Sequence, residues 1–217
     1  MDFFNLLLII HIVCGGTSLI LGSIILCIKK GGKPHKFIGN IYFSTMLIAS
    51  LVALPMSYLH TNYFLFIVGV FTAFMLLTGR RYLKLKHTDH VKLQDWILSI
   101  VMLFFGFAFL ILGTYNLIIE EDFGIVLIVF GSISLLFVYQ DYKNFKGKSG
   151  IKNYWLTTHL QRMIGSYIAS VTAFLVVNIT MSPGFVLWLL PTVVIVPLIV
   201  KWTRKYKKSS VETNIIA

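Results

Sequence analysis

The sequence predicts an all-α integral membrane bundle of about seven transmembrane helices, with the N-terminus outside and the C-terminus in the cytoplasm. Three observations lead there. Hydrophobic residues are 57% of the 217 and charged residues only 12%, with a mean hydropathy of +0.84, far from the averages of soluble proteins. The apolar residues come in blocks close to the ~20 residues a helix needs to cross the hydrocarbon. Finally, the 19 Lys and Arg are confined to alternate connections between those blocks.

The blocks place spans at 3–28, 37–59, 63–79, 96–119, 123–139, 163–181 and 185–200. The first is a permanent helix and not a cleaved signal, because Met-Asp-Phe-Phe-Asn is acidic and the run exceeds a signal core of ~7–15 residues. Its Cys14 and Cys27 stand about 20 Å apart along one helix, beyond disulfide reach. Residues 60–62 make so short a link that the second and third spans are antiparallel neighbours, and Ser182-Pro183-Gly184 joins the sixth and seventh in the same way. Pro55, Pro191 and Pro197 introduce kinks of a kind that membrane bundles tolerate. Residues 1–208 form one domain, and 209–217 read as a short, polar, disordered cytoplasmic tail.

Orientation follows from charge. Lys29, Lys30, Lys33 and Lys36 follow the first span, and Arg80, Arg81, Lys84, Lys86 and Lys92 follow the third. Lys143, Lys146, Lys148, Lys152 and Arg162 separate the fifth from the sixth, and the last five bases lie at 201–208. The opposite side carries Asp2, Glu120, Glu121 and Asp122 with no Lys or Arg. Basic loops stay in the cytoplasm, so the parity requires an odd number of spans; a multi-pass cell-membrane location is expected, in a bacterium the inner membrane. The +11 charge flanks membrane helices and carries no nucleic-acid module, so nucleic acid is excluded as a partner and membrane lipid is expected.

Ionisable groups within a bilayer face the bundle interior or water and are the first functional candidates. His11 lies about 12 Å below the outer surface by helical rise, with Gly15, Ser18 and Gly22 continuing its face as a groove of small residues. That groove suits a small hydrophobic ligand or lipid, and equally suits plain helix packing around a neutral histidine. His35 stands at the cytoplasmic entry of the second span with Gly39 one turn on, leaving room for a flat macrocycle or a lipid chain; an interfacial histidine that only caps a loop has the same signature. His159 opens the sixth span with Arg162 one turn away, and Ser166, Ala169, Ser170 and Ala173 follow as a small-residue face. There Arg162 is placed to bind an acidic group, a snorkelling arginine being the plain alternative.

Because both spans start at the inner surface, His35 and His159 are expected at one depth, within reach of a common ligand bordered by Gly39 and Ser166. The sequence leaves open whether the second and sixth helices are neighbours. His87 and His90 flank Asp89 in a polar connector that reads as solvated, and His60 reads as exposed in an outer turn. Asn178-Ile179-Thr180 matches a glycosylation sequon at a membrane boundary. Hydrolase and phosphate-loop signatures are missing, no metal-ligand set is visible, and no carboxylate is expected deep in the membrane, which lowers a proton-coupled transport reading.

From His11 to Tyr42 the chain runs from a histidine through small residues and a basic Gly-Gly turn to His-Lys-Phe-Ile-Gly-Asn-Ile-Tyr. This run, with His159 and Arg162-Met163 later, resembles a bacterial membrane-protein family known as domain of unknown function 2306. The family pattern has Arg where Lys29, Lys30, Lys36 and Asn40 stand here. The resemblance implies that His11, His35 and His159 matter, and it brings no activity. A looser similarity to transmembrane b-type cytochromes implies that His35 and His159 hold a haem b, with quinone-linked electron transfer as the chemistry. His11 has no partner at its depth, so one haem is implied, not two. The alternative expectation is a carrier or lipid-binding bundle with its pocket around His11 and Gly15.

Overall fold

In a computed structural model the described residues, 2–181 and 185–212, form seven α-helices and one 3₁₀ turn, with no strand among them. In chain order these are α1 (Phe3–Cys27), α2 (Lys33–Leu59), α3 (Tyr63–Tyr82), α4 (Leu93–Ile118), α5 (Phe123–Phe145), α6 (Tyr154–Asn178) and α7 (Phe185–Glu212), with the 3₁₀ turn at Thr88–His90. All seven are long and apolar enough to cross a membrane. The expected all-α, seven-helix bundle is the fold.

The ends of the helices depart from the sequence expectation in one direction. At the basic end α2 begins four residues early, at Lys33, while α3 runs on to Tyr82, α5 to Phe145 and α7 to Glu212, and α6 begins at Tyr154, nine residues before the expected start. Hydropathy marks where a helix leaves hydrocarbon, whereas Lys, Gln, Tyr and Arg continue a helix into the interface. Residues 209–212, read as tail, are therefore helical, and 213–217 lie outside the described residues, as does the expected 182–184 link.

Local signals set the starts. Gly31 adopts φ 81°, which turns the chain out of α1, and Pro34 sits in the first turn of α2, where its missing N–H costs nothing. Asn62 caps α3 by accepting from the Leu65 N–H at 3.0 Å. Asp95 in the first turn of α4 accepts from the Lys92 N–H at 2.8 Å.

The packing has two parts. Helix α3 is central, with α2 on one side and α6 on the other; α1 covers α2 and α7 covers α6. The α4–α5 hairpin is packed mainly against itself along a glycine seam. Gly106 and Gly113 on α4 face Gly131 and Gly124 on α5 so closely that a methyl on Gly124 would stand 2.6 Å from the Gly113 carbonyl oxygen, and one on Gly131 2.9 Å from that of Gly106. Close backbone approach of this kind is how membrane helices gain packing without a hydrophobic drive between them. The hairpin joins the rest through Met102, Phe109 and Leu127, which pack with Phe71 and Met75 of α3 in the largest apolar cluster.

Candidate functional site

At the basic end, α1, α2, α3, α6 and α7 surround a cavity of about 320 Å³. His35 and Gly39 reach it from α2, Arg80 from the last turn of α3, and His159 from the second turn of α6. Ile25 and Leu26 of α1 with Leu160 and Ile164 of α6 make an apolar wall. Helices α2 and α6 approach through side chains, the Tyr42 hydroxyl lying 2.8 Å from that of Ser166, while Tyr167 of α6 pairs with Ser23 of α1 at 2.7 Å.

The imidazoles are prepared differently. His159 Nδ1 lies 2.8 Å from the Gly79 carbonyl oxygen, so Nδ1 carries the proton and donates, and in the neutral ring Nε2 keeps its lone pair. Gly79 allows this contact because α6 presses on it; a methyl there would stand 2.9 Å from Arg162 Cβ. His35 Nδ1 is buried with no hydrogen-bond partner. Gly39, one turn from His35, has no atom within 4 Å of where a Cβ would stand, so its face of the cavity is open.

The cations at the cavity are not equivalent. Lys30 folds back onto the end of α1 and donates to the carbonyls of Ile25, Leu26 (2.8 Å) and Ile28 (3.1 Å), with the Trp202 ring 4.5 Å away. Its three donors are used, and burial lowers its pKa below the ordinary lysine value. Arg80 donates to Asn40 Oδ1 at 2.7 Å and lies 4.7 Å from the Phe43 ring centre, which leaves guanidinium N–H groups for an anion. Lys36 also lines the cavity. Sequence reasoning missed Arg80, Lys30 and Tyr167, because nothing local shows which residues three distant helices bring to one space.

Arg162 departs from the expected role. It is fully buried and points away from this cavity, with Nη2 2.9 Å from Asp141 Oδ1 and 3.0 Å from the Phe137 carbonyl oxygen, and its guanidinium packed 4.0 Å from the Phe137 ring centre. Asp141, equally buried, also accepts from Tyr82 at 2.7 Å and Ser99 at 3.1 Å, so α3, α4, α5 and α6 share one polar centre. Asn144 extends it, donating to Tyr82 and to Thr158. Asp141 lies beyond the apolar block of the fifth span, yet α5 continues past it and buries it inside the bundle near the basic end. Ser166, too, is sealed behind Tyr42 and does not line the cavity.

His11 lies elsewhere. Its Nδ1 is 3.0 Å from the Ala49 carbonyl oxygen, an α1–α2 contact, and neither His11 nor Gly15 lines the cavity. Gly15 has open space at its Cβ position, but Gly22 packs directly under the Tyr167 ring, so the lower half of the small-residue stripe is a packing seam. His60 lies against Phe4, with ring centres 3.9 Å apart and planes tilted by 57°. His87 and His90 sit in the exposed connector with rings 5.6 Å apart, and among the described residues no three His, Cys, Asp or Glu side chains converge as a metal site. Compared with family models, with curated proteins and with solved structures, the chain has no match.

Proposed function

We propose that this multi-pass membrane protein is a binding protein for a small amphiphile with an acidic head, seated in the basic-end cavity. The observation that carries the reading is the division of that cavity into a cationic, imidazole-bearing rim and an apolar wall. Arg80 offers a forked donor to a carboxylate or phosphate, and the Nε2 of His159 together with the unpartnered Nδ1 of His35 offers further polar contacts. The tail lies along Leu26, Leu160 and Ile164. A volume of 320 Å³ is at the small end of the ~300–1,000 Å³ usual for ligand pockets and suits one chain better than a two-chain lipid. The rim faces the cytoplasm in this reading, since it is built from the basic connections.

The test is extraction of detergent-purified protein followed by mass spectrometry. An acidic single-chain amphiphile recovered near one equivalent, and depleted at least tenfold in Arg80→Ala and His159→Ala, is the expected result. Its absence, or equal recovery from the variants, refutes the reading.

A second reading, a haem b between His35 and His159, is favoured by one observation, the Nδ1–H of His159 fixed on the Gly79 carbonyl, which orients the ring for ligation through Nε2. His35 and His159 would hold the iron, and Arg80 and Lys36 would pair with the propionates. Bound haem would supply one-electron transfer. A Soret band lost in both His35→Ala and His159→Ala would favour this reading, and colourless protein from haem-supplied cells would remove it.

A further inference from the structure

On the far side of α6 from the basic-end cavity lies a cleft of about 440 Å³ between α5 and α7, with α6 beside it and Phe71 of α3 at its back. The cleft exists because α5 is tied to these neighbours at two levels and stands apart from them in between. Near the basic end Gln140 and Asp141 of α5 bond to Gln161 and Arg162 of α6 at 2.8 and 2.9 Å. Towards the other end Phe123 of α5 meets Trp188 of α7 at 5.5 Å between ring centres, and Trp188 meets Phe64 of α3 at 4.1 Å. The glycine seam holds α5 against α4 instead, so no helix fills the gap.

The dimensions are those of one lipid chain. Lining residues run from Val129 to Gln140 on α5, from Thr172 back to Gln161 on α6 and from Trp188 to Ile199 on α7, an interval of eleven residues in each case and so about 16 Å. That is close to half of the ~30 Å hydrocarbon core, the depth that an acyl chain of one leaflet covers. The runs on α5 and α7 end at the basic interface, for Gln140 stands one turn inside Lys143 and Ile199 two residues inside Lys201. No charged side chain lines the cleft, and Phe130, Ile133 and Val196 give it the chemistry of a lipid-facing surface. Its flank is open to the bilayer at Leu136 and Val196, which are 64% and 36% exposed.

We propose that this cleft holds one acyl chain of a phospholipid from the basic-end leaflet, as a fixed part of the bundle. The chain enters between α5 and α7, with its ester end level with Gln140 and Ile199 and its methyl end towards the Trp188 cluster, which closes the far end. The headgroup stays at the surface, where Lys143 and Lys201 are the next bases along α5 and α7. An empty cleft would forfeit dispersion contacts on both walls, and water would find too few polar partners there to take the chain's place. The chain thus joins the α4–α5 hairpin to α6 and α7 at the level where direct contact between them is thin. The basic-end cavity lies across α6, and the inference stands whatever occupies it.

The test is photolabelling of the full-length protein in vesicles of phosphatidylglycerol that carries a diazirine near either the carboxyl or the methyl end of one acyl chain, with labelled positions mapped by peptide mass spectrometry. Bulk lipid reaches Phe104 of α4, which is 72% exposed, but not Phe71, which is 6% exposed behind α5 and α6. Label at Phe71 as well as at Phe104 is expected. The carboxyl-side probe should mark Phe137 and the methyl-side probe Phe130, seven residues and about 10 Å further from the basic end. Thr192→Trp fills the cleft from α7 and should cut the labels at Phe71 and Phe130 about tenfold, with Phe104 labelled as before. Val196→Trp starts from a position already in contact with lipid; it should act likewise, and it decides the matter if Thr192→Trp does not fold. Val194→Trp, on the exposed face of α7, should change nothing. Absence of label at Phe71 in the parent, undiminished labels in the cleft variants that fold, or the reverse order of the two probes overturns the proposal. So does label at Phe71 from a free fatty acid bearing the same group but not from the phospholipid.

Discussion

Asp141→Asn should be among the most destabilising single changes in this protein. The substitution leaves the Arg162 guanidinium fully buried with its charge uncompensated, and turns one of the two oxygens that accept from Arg162, Tyr82 and Ser99 into an amide donor. Arg162 is already sparingly partnered, for its Nε and Nη1 make no hydrogen bond and Nη2 has only Asp141 Oδ1 and the Phe137 carbonyl oxygen. Breaking a buried pair by removing one partner costs about 3–5 kcal/mol. For a chain of this length each kcal/mol moves the melting temperature by about 2–4 °C, so thermal unfolding in detergent, followed by retention on size exclusion, should fall by about 6–20 °C. The double change Asp141→Leu with Arg162→Met removes both charges and puts similar volume in their place. It should recover most of the loss and be more stable than Asp141→Leu or Arg162→Met alone, since apolar replacement of a buried pair is often neutral or stabilising. A single variant within 2 °C of the parent, or a double variant less stable than both singles, would refute the claim that the pair is mutually dependent.

Other expectations follow from neighbouring features. Gly124→Val drives a branched side chain into the Gly113 carbonyl, and should destabilise the α4–α5 hairpin by about 1–3 kcal/mol, read as a lower melting temperature. Gly39→Leu has open space for its side chain and should leave stability unchanged while displacing whatever fills the basic-end cavity; a loss of stability equal to that of Gly124→Val would show that the space is closed. Reporter fusions after Lys92 and Lys152 should be cytoplasmic and fusions after His60 and Asp122 external, and a cytoplasmic signal at Asp122 would break the proposed orientation.

The sequence carries the helices well and their interior poorly. Seven apolar blocks and their connections were legible because a bilayer imposes one length scale on every span. The basic-end helix ends were not, since charged residues extend helices beyond the apolar block. Asp141 was hidden for that reason: it stands two residues past Tyr139, where hydropathy falls, but in α5 it shares a face with Ser134 and Phe145 at seven and four residues. A helix carried through to Phe145 would have revealed it. The glycine seam had a visible signal in the seven-residue spacing of Gly106 and Gly113 and again of Gly124 and Gly131. The matching depth of His35 and His159 could be read from the two helix starts, whereas their meeting in one cavity depends on how α2 and α6 are arranged around α3, which no local pattern encodes.

The shared polar centre also orders how the chain is assembled. Asp141 leaves the ribosome before Arg162, with the end of α5 and the start of α6 between them. The carboxylate is thus made before its counterion, but after Tyr82 on α3 and Ser99 on α4, the two hydroxyls that donate to it in the finished bundle. Those earlier helices give α5 a polar berth at the stage when its charge has no partner. Arg162 is made last of this group, so the ion pair that ties α6 to α5 closes only after α6 has reached its place on α3.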